Sequence, residues 1–110
     1  MNASNPMVHR LAVAASLTLL ASASASAQDA RALYVKSLAA TCANCHGTNG
    51  RALVGAGVPG LAGMPAPYMV QQLKTFKDGT RPSTVMQQLT KGYNDSQIEA
   101  IAAYFAAQPK

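Results

Sequence analysis

Cys42-Ala43-Asn44-Cys45-His46 constrains this chain more than any other segment. These are its only cysteines, and His9 is its only other histidine. A C-x-x-C-H run presents two thiols and an imidazole to a single object, so the fold must be built around whatever those three groups hold. The rest of the composition agrees. In 110 residues there is no Trp and only two Phe, and much of the 49% hydrophobic content is alanine, which removes little area from water per residue. A chain of this length makes one small domain. Its polypeptide alone would give a thin core, and four acidic residues are too few for an elaborate catalytic apparatus.

The N-terminus has the pattern of an export leader. Arg10 precedes a ten-residue, largely apolar stretch, Leu11 to Leu20, and an Ala/Ser tract ends in Ala25-Ser26-Ala27, an A-x-A cleavage signal. Residues 1–27 are therefore expected to be a signal peptide cleaved after Ala27, with residues 28–110 forming the mature domain in the periplasm. A stretch of ten residues falls well short of the ~20 that cross a bilayer, so no membrane insertion is expected after cleavage. Removing 27 of 110 residues leaves 83, and losing Arg10 reduces the formal charge from +5 to +4. The remaining cations are scattered, with little aromatic interleaving, which excludes nucleic acid as a partner and leaves a mild preference for acidic proteins.

Within the mature chain, C-x-x-C-H reads as the attachment site of one haem c. Each thiol can form a thioether with a haem vinyl group while His46 turns back to the iron as proximal ligand. A zinc site would need a fourth ligand, which no other Cys or His of the mature chain supplies. A thioredoxin-type dithiol would need βαβ surroundings that the sequence lacks. A plain Cys42 to Cys45 disulfide is the bland alternative in an oxidising compartment. Motif, leader, helix placement and thin core together favour covalent haem.

The periodicities predict an all-α fold. Good helix formers run from Ala30 to Ala40, with Leu33, Ser37 and Leu38 near one face, and lead directly into the cysteines. Six glycines and Pro59 make Gly47 to Gly63 a folded loop. A helix is expected over Pro67 to Lys77, stopped by Asp78-Gly79, and a turn or so of helix over the TVMQQLT stretch. Asn94 and Gln97 form a capping-box pattern ahead of Ile98, Ile101, Ala102 and Phe105, the stripe of a last amphipathic helix. Gly55 to Gly60 spells G-x-G-x-x-G, but no strand precedes it and Pro59 stands where a helix should open, which excludes dinucleotide binding. Asp95 and Glu99 fall in the first turns of the last helix, where its dipole accounts for them.

Electron-carrying haem iron takes a second axial ligand, and with His46 the only histidine left, methionine is the choice. Met64, Met69 and Met86 are the candidates. Met69 shares a helical stripe with Leu73 and Phe76 and is assigned to packing. Met64 lies only 18 residues past His46, whereas Met86, 40 residues on, leaves chain enough to cross the distal face.

CANCHGTNG, Pro59 to Gly63, PYMVQQLKTFKDGTRPSTVM and KGYNDSQIEAIAAYFAAQ together resemble a monohaem class I cytochrome c. The likeness is closest to the haem subunit of flavocytochrome c sulfide dehydrogenase and to the halves of cytochrome c4, and it covers nearly all of the mature chain. It implies a small fold packed around one haem, with the first and last helices in contact, here through Leu33 and its neighbours against Ile101 and Phe105. It implies that Gly79 to Met86 is the family's G-x-R-x-x-x-V-M distal pattern, with Met86 the axial ligand. It also implies that the Pro59 carbonyl accepts the His46 Nδ1 hydrogen bond. Arg51, Arg81 and Lys91 would gather at the haem rim. RALVGAGV, Arg51 to Val58, departs from the pattern in being more apolar. The chain is then expected to be an electron-transfer protein, with no chemistry on a substrate indicated; a small ligand-binding or catalytic haem protein would require an open sixth position, against which methionine ligation argues. Two functions stay open: haem subunit accepting electrons from a sulfide-oxidising flavoprotein, or freely diffusing shuttle for another redox protein.

Overall fold

The computed structural model describes residues 6–110, with side chains from residue 25 onward. The apolar side chains of the expected leader, Leu11 to Leu20, lie outside the described residues. Four helices are formed: α1 (Pro6–His46), α2 (Ala66–Asp78), α3 (Thr84–Lys91) and α4 (Asp95–Ala106). The described residues contain no strand. The chain divides into two compact units, one ending at Leu33 and one running from Tyr34 to Lys110. The second holds the last turns of α1 and everything after them.

Helix α1 does not stop before the cysteines, as the sequence predicts, but carries all of Cys42 to His46 in its last turns. No residue between Ala40 and His46 breaks a helix, and the first that does is Gly47, at φ 82°. A Cβ there would fall 2.0 Å from the Arg51 carbonyl oxygen, so only glycine fits the turn that follows the histidine. The loop beyond makes one 3-10 turn, Thr48–Gly50.

Helix α2 opens with Pro67 in its first turn and ends at Gly79. Helix α3 is a full two turns rather than one, because the Ser83 hydroxyl caps it by accepting from the Met86 N–H at 3.1 Å. The capping box of α4 forms as its sequence predicts: Gln97 N–H reaches Asn94 Oδ1 at 2.9 Å and Asn94 N–H reaches Gln97 Oε1 at 3.0 Å. The same Gln97 donates through Nε2 to the Tyr34 hydroxyl at 2.8 Å, which ties α1 to the start of α4. Lys74 and Lys77 of α2 meet Asp95 at 3.0 and 3.6 Å. The Lys74 hydrogen bond holds the Asp95 carboxyl below the ordinary carboxylate range. These groups are largely solvated, so the pairs orient α2 on α4 more than they stabilise it.

The predicted stripe of α4 is the core. Ile98, Ile101, Ala102 and Phe105 are buried, and Ala39 and Met69 complete the buried apolar set of the described residues. Leu33 is not part of it. It is 69% exposed, and Ala39 takes the role assigned to it, sharing a cluster with Ile101, Ala102 and Phe105. Six residues separate the two positions, roughly 9 Å along a helix axis. Ala39 of α1 and Ala102 of α4 are both fully within that cluster.

Gly50 fastens the loop to this core. Its carbonyl accepts from Leu61 N–H at 2.8 Å and Ala62 N–H at 3.1 Å, while Gly63 N–H reaches the Phe105 carbonyl at 2.9 Å. At φ 79°, a Cβ on Gly50 would lie 2.8 Å from both the Ala62 nitrogen and the Phe105 ring. Gly50→Ala is expected to cost about 2 kcal/mol through strained φ and overpacking together. Thermal melting of the holoprotein should show the loss, with Ala56→Gly in the exposed part of the loop as a control of small effect.

Candidate cofactor site

Helical spacing brings the sequence motif together. Positions i, i+3 and i+4 share one face of a helix, so Cys42, Cys45 and His46 point to a common side of the last turns of α1. His46 is 7% exposed. Its Nδ1 lies 2.7 Å from the Pro59 carbonyl oxygen. A carbonyl can only accept, so Nδ1 carries the proton and Nε2 keeps the lone pair that a metal requires. Glycine-rich sequence makes this bond possible, since the loop after Gly47 must double back within 13 residues to place Pro59 under the ring.

Cys42, Cys45 and His46 line a cavity of about 430 Å³. Its wall is mostly apolar, with Leu61 from the loop, Leu73 and Phe76 from α2, and Ile98 and Ile101 from α4. The thin core of the sequence is thus a core with a space in it. An apolar space of this size, bordered by two thiols and one imidazole nitrogen with a free lone pair, fits a flat macrocycle held by two thioethers and one axial bond. Burial pushes the Cys42 thiol up. That is the reverse of the lowered pKa that a redox dithiol uses.

All three candidate methionines reach this cavity. Met69 is 3% exposed and packs in the core with Ile101 and Phe105, as its stripe predicts. Met64 is nearer than its short separation from His46 predicts. The bonds from Leu61 and Ala62 to Gly50 fold the loop back at once, and Met64 packs against the core cluster beside the cavity. Met86 enters from the first turn of α3. Its N–H is held by Ser83, and its carbonyl accepts from the hydroxyl of Thr90, a buried residue, at 2.7 Å. Thr90 was not legible as a site residue, because a threonine in a short polar helix carries no distinguishing pattern.

Of the three cations expected at the rim, Arg81 lines the cavity, and all three are exposed. Arg51 donates from Nε to the Pro109 carbonyl at 3.1 Å. The Arg81 guanidinium lies 4.5 Å from the centre of the Phe76 ring and bonds Gln72 Oε1. Lys91 is exposed. Two of the three cations are therefore engaged within the chain. The glycines of the G-x-G-x-x-G run sit in an exposed loop, with neither strand before nor helix opening after.

The family model for cytochrome c matches residues 27–108. The chain is 36% identical over 95 residues to the thiosulfate dehydrogenase electron acceptor of Stutzerimonas stutzeri, covering 83% of this chain and 44% of that protein. It is 41% identical over 68 residues to the cytochrome subunit of sulfide dehydrogenase of Chlorobaculum tepidum, covering 62% of this chain and 60% of that one. It is 37% identical over 102 residues to cytochrome c4 of Pseudomonas aeruginosa, covering 92% of this chain and 49% of that protein. The chain thus spans roughly half the length of these relatives. Family match, helical fold and the C-x-x-C-H cavity agree: the chain belongs to the cytochrome c family, with one covalently bound haem c.

Proposed function

We propose that this protein is an exported, periplasmic electron carrier whose haem iron lies between His46 and Met86, and that it accepts electrons from a sulfur-compound dehydrogenase of the sulfide-oxidising flavoprotein type. The observation that carries the reading is the shared cavity wall of Cys42, Cys45, His46 and Met86. Haem supplies reversible uptake of one electron. The chain does the rest. Cys42 and Cys45 fix the macrocycle edge to α1, and the Pro59 carbonyl orients the imidazole and raises its basicity. The apolar wall excludes water and disfavours the higher charge of ferric iron, which raises the potential. Met86 is favoured over Met64 because Met64 packs onto the core cluster, whereas Ser83 and Thr90 fix the helical turn that carries Met86. The match of Gly79 to Met86 to the family's distal pattern supports the same choice.

Export rests on the leader pattern. The family match beginning at residue 27 supports cleavage after Ala27 and a mature domain of residues 28–110. Among the described residues no helix is long and apolar enough to cross a membrane. The donor class rests on the relatives' names, two of which belong to sulfur-compound dehydrogenase systems. A lasting interface is favoured by the loop that departs from the family pattern: Leu53 and Val54 are 81% and 107% exposed in the segment that leads to Val58 and Pro59 of the cavity wall. Exposed apolar side chains clustered beside a functional opening mark contact surfaces. The freely diffusing alternative has the net positive charge and the solvated Lys91 in its favour.

Haem absorbance should stay with the chain after acid and organic extraction. Cys42→Ala with Cys45→Ala should leave no cooperative melting transition. At roughly 24 cal/mol per Å³, an empty cavity of this size costs on the order of 10 kcal/mol as an upper bound, as much as a small domain's whole stability. Met86→Ala should convert six-coordinate low-spin iron to a form that binds cyanide or imidazole readily, with a lower potential. Met64→Ala should keep the methionine charge-transfer band and melt a few degrees lower; loss of that band in the Met64 variant would move the ligand there. Stopped-flow reduction over a salt series, with gel filtration of native material, tests the partner. Salt-insensitive rates and co-elution with a flavin-containing chain are expected, while rates falling steeply with salt from a solitary monomer would establish the shuttle.

A further inference from the structure

Among the described residues two polar side chains are buried, His46 and Thr90, and Thr90 is the deeper of them at 1% exposed. It stands one helical turn past Met86. Met86, Leu89, Thr90 and Tyr93 follow the spacing i, i+3, i+4 and i+7, and all four line the cavity. Helix α3 and the residues just past it thus give the cavity one stripe, of which Thr90 is the fully buried member.

An aliphatic side chain is the ordinary choice for such a wall. Valine has the shape of threonine, and burying a hydroxyl in its place is unfavourable. A threonine whose hydroxyl turns back on the carbonyl four residues earlier also weakens and bends its helix slightly. Thr90 does this, donating from Oγ1 to the Met86 carbonyl at 2.7 Å, with the Gln87 carbonyl at 3.3 Å. In an α-helix the N–H of residue 90 already serves the Met86 carbonyl, so the hydroxyl rescues no orphaned acceptor. The residue is therefore unfavourable on two counts, and departures from local preference mark function.

What the hydroxyl adds is a hold on one particular residue. The Met86 N–H is held from before by the Ser83 hydroxyl at 3.1 Å, and its carbonyl from after by Thr90. Side chains thus engage both polar groups of the Met86 backbone. Helix α3 has eight residues, too few to be stable by themselves, so its first turn depends on such contacts. In α2 the corresponding bond, from the Thr75 hydroxyl to the Gln72 carbonyl at 2.8 Å, is made by a half-buried residue that is not part of the cavity wall.

Resting on the reading that Met86 ligates haem iron, we infer that Thr90 is the positioning residue that keeps the sixth position closed. Its hydroxyl, held on the Met86 carbonyl, resists opening of the first turn of α3, and Met86 leaves its place only when that bond breaks. Met86 is itself half-buried, so burial alone does not confine it. This role is separate from thermal stability, because valine would suit the wall equally well and lacks the hold.

Displacement of the methionine by added imidazole in the ferric holoprotein, followed as loss of the methionine charge-transfer band, tests this. In Thr90→Val displacement should be about fivefold faster, as expected from one hydrogen bond of ordinary net strength, while the melting temperature stays level or rises. Thr90→Ser retains the hydroxyl and should restore the slow rate. Thr75→Val removes the same kind of bond away from the wall and should leave the rate unchanged. An unchanged rate in Thr90→Val would show that the hydroxyl is merely accommodated. Equal acceleration in Thr90→Ser or in Thr75→Val would show that packing or general loosening governs exchange. Any of these results overturns the inference. Where Thr90→Val yields no holoprotein, Thr90→Ser and Thr90→Ala decide, since they differ in the oxygen alone: faster displacement in the alanine variant supports the assignment, and equal rates overturn it. A methionine band that survives in Met86→Ala would overturn this inference together with the Met86 reading, whereas an unmoved rate overturns this one alone.

Discussion

The hydrogen bond between His46 Nδ1 and the Pro59 carbonyl, 2.7 Å long, is the contact on which the other parts of the site depend. It fixes the tautomer that leaves Nε2 able to bind iron, and it fixes the loop. A histidine at the last position of a helix would otherwise be free to turn about its side-chain bonds, and a loop of six glycines would have many conformations to lose. Each constrains the other. The loop is fastened at its far side by Gly50 to Leu61 and Ala62, by Gly63 to Phe105, and by the Tyr104 hydroxyl to Asn49 Oδ1 at 2.8 Å. The imidazole is thereby referred to the buried face of α4, and the ligand position is set by the core rather than by local sequence alone.

That core is small because the cavity takes the place of part of it. Only Ala39, Met69, Ile98, Ile101, Ala102 and Phe105 are buried apolar side chains among the described residues, and Met69, Ile98 and Ile101 also line the cavity. The side chains that stabilise the helices against one another are largely those that would contact the cofactor. Stability and haem binding are then one property measured in two ways, as in other small scaffolds that depend on a bound group. It also follows that substitutions at the α1–α4 crossing reach the site without touching a ligand: a larger side chain at Ala39 would separate the helices that hold the proximal wall.

Much of this was legible in the sequence where local chemistry decides. C-x-x-C-H, the Asn94 and Gln97 capping box and the stripe of α4 are short-range patterns, and each is realised by residues three or four positions apart. What escaped was set by long-range packing. The contact assigned to Leu33 belongs to Ala39, because where two helices cross depends on the small residues that permit approach and not on the largest apolar one available. The motif lies within α1 because a helix continues until something stops it, and nothing does before Gly47. Met64 reaches the cavity because two backbone bonds to one glycine shorten its path, which no count of intervening residues shows. Thr90 and Gln72 are polar residues on amphipathic helices, and only the fold turns them toward the site.

Among the described residues the cavity wall runs from Thr41 to Ile101, and the loop after the histidine supplies Val58, Pro59 and Leu61 to it. In this chain the exposed Leu53 and Val54 lie on a loop whose base is fixed by Gly50 and by Pro59, the two points that also set the histidine. An apolar tip on so firmly held a base presents a partner with a preformed surface at little cost in ordering entropy. A contact made there would act on the same loop that carries Pro59, whose carbonyl accepts from His46 Nδ1.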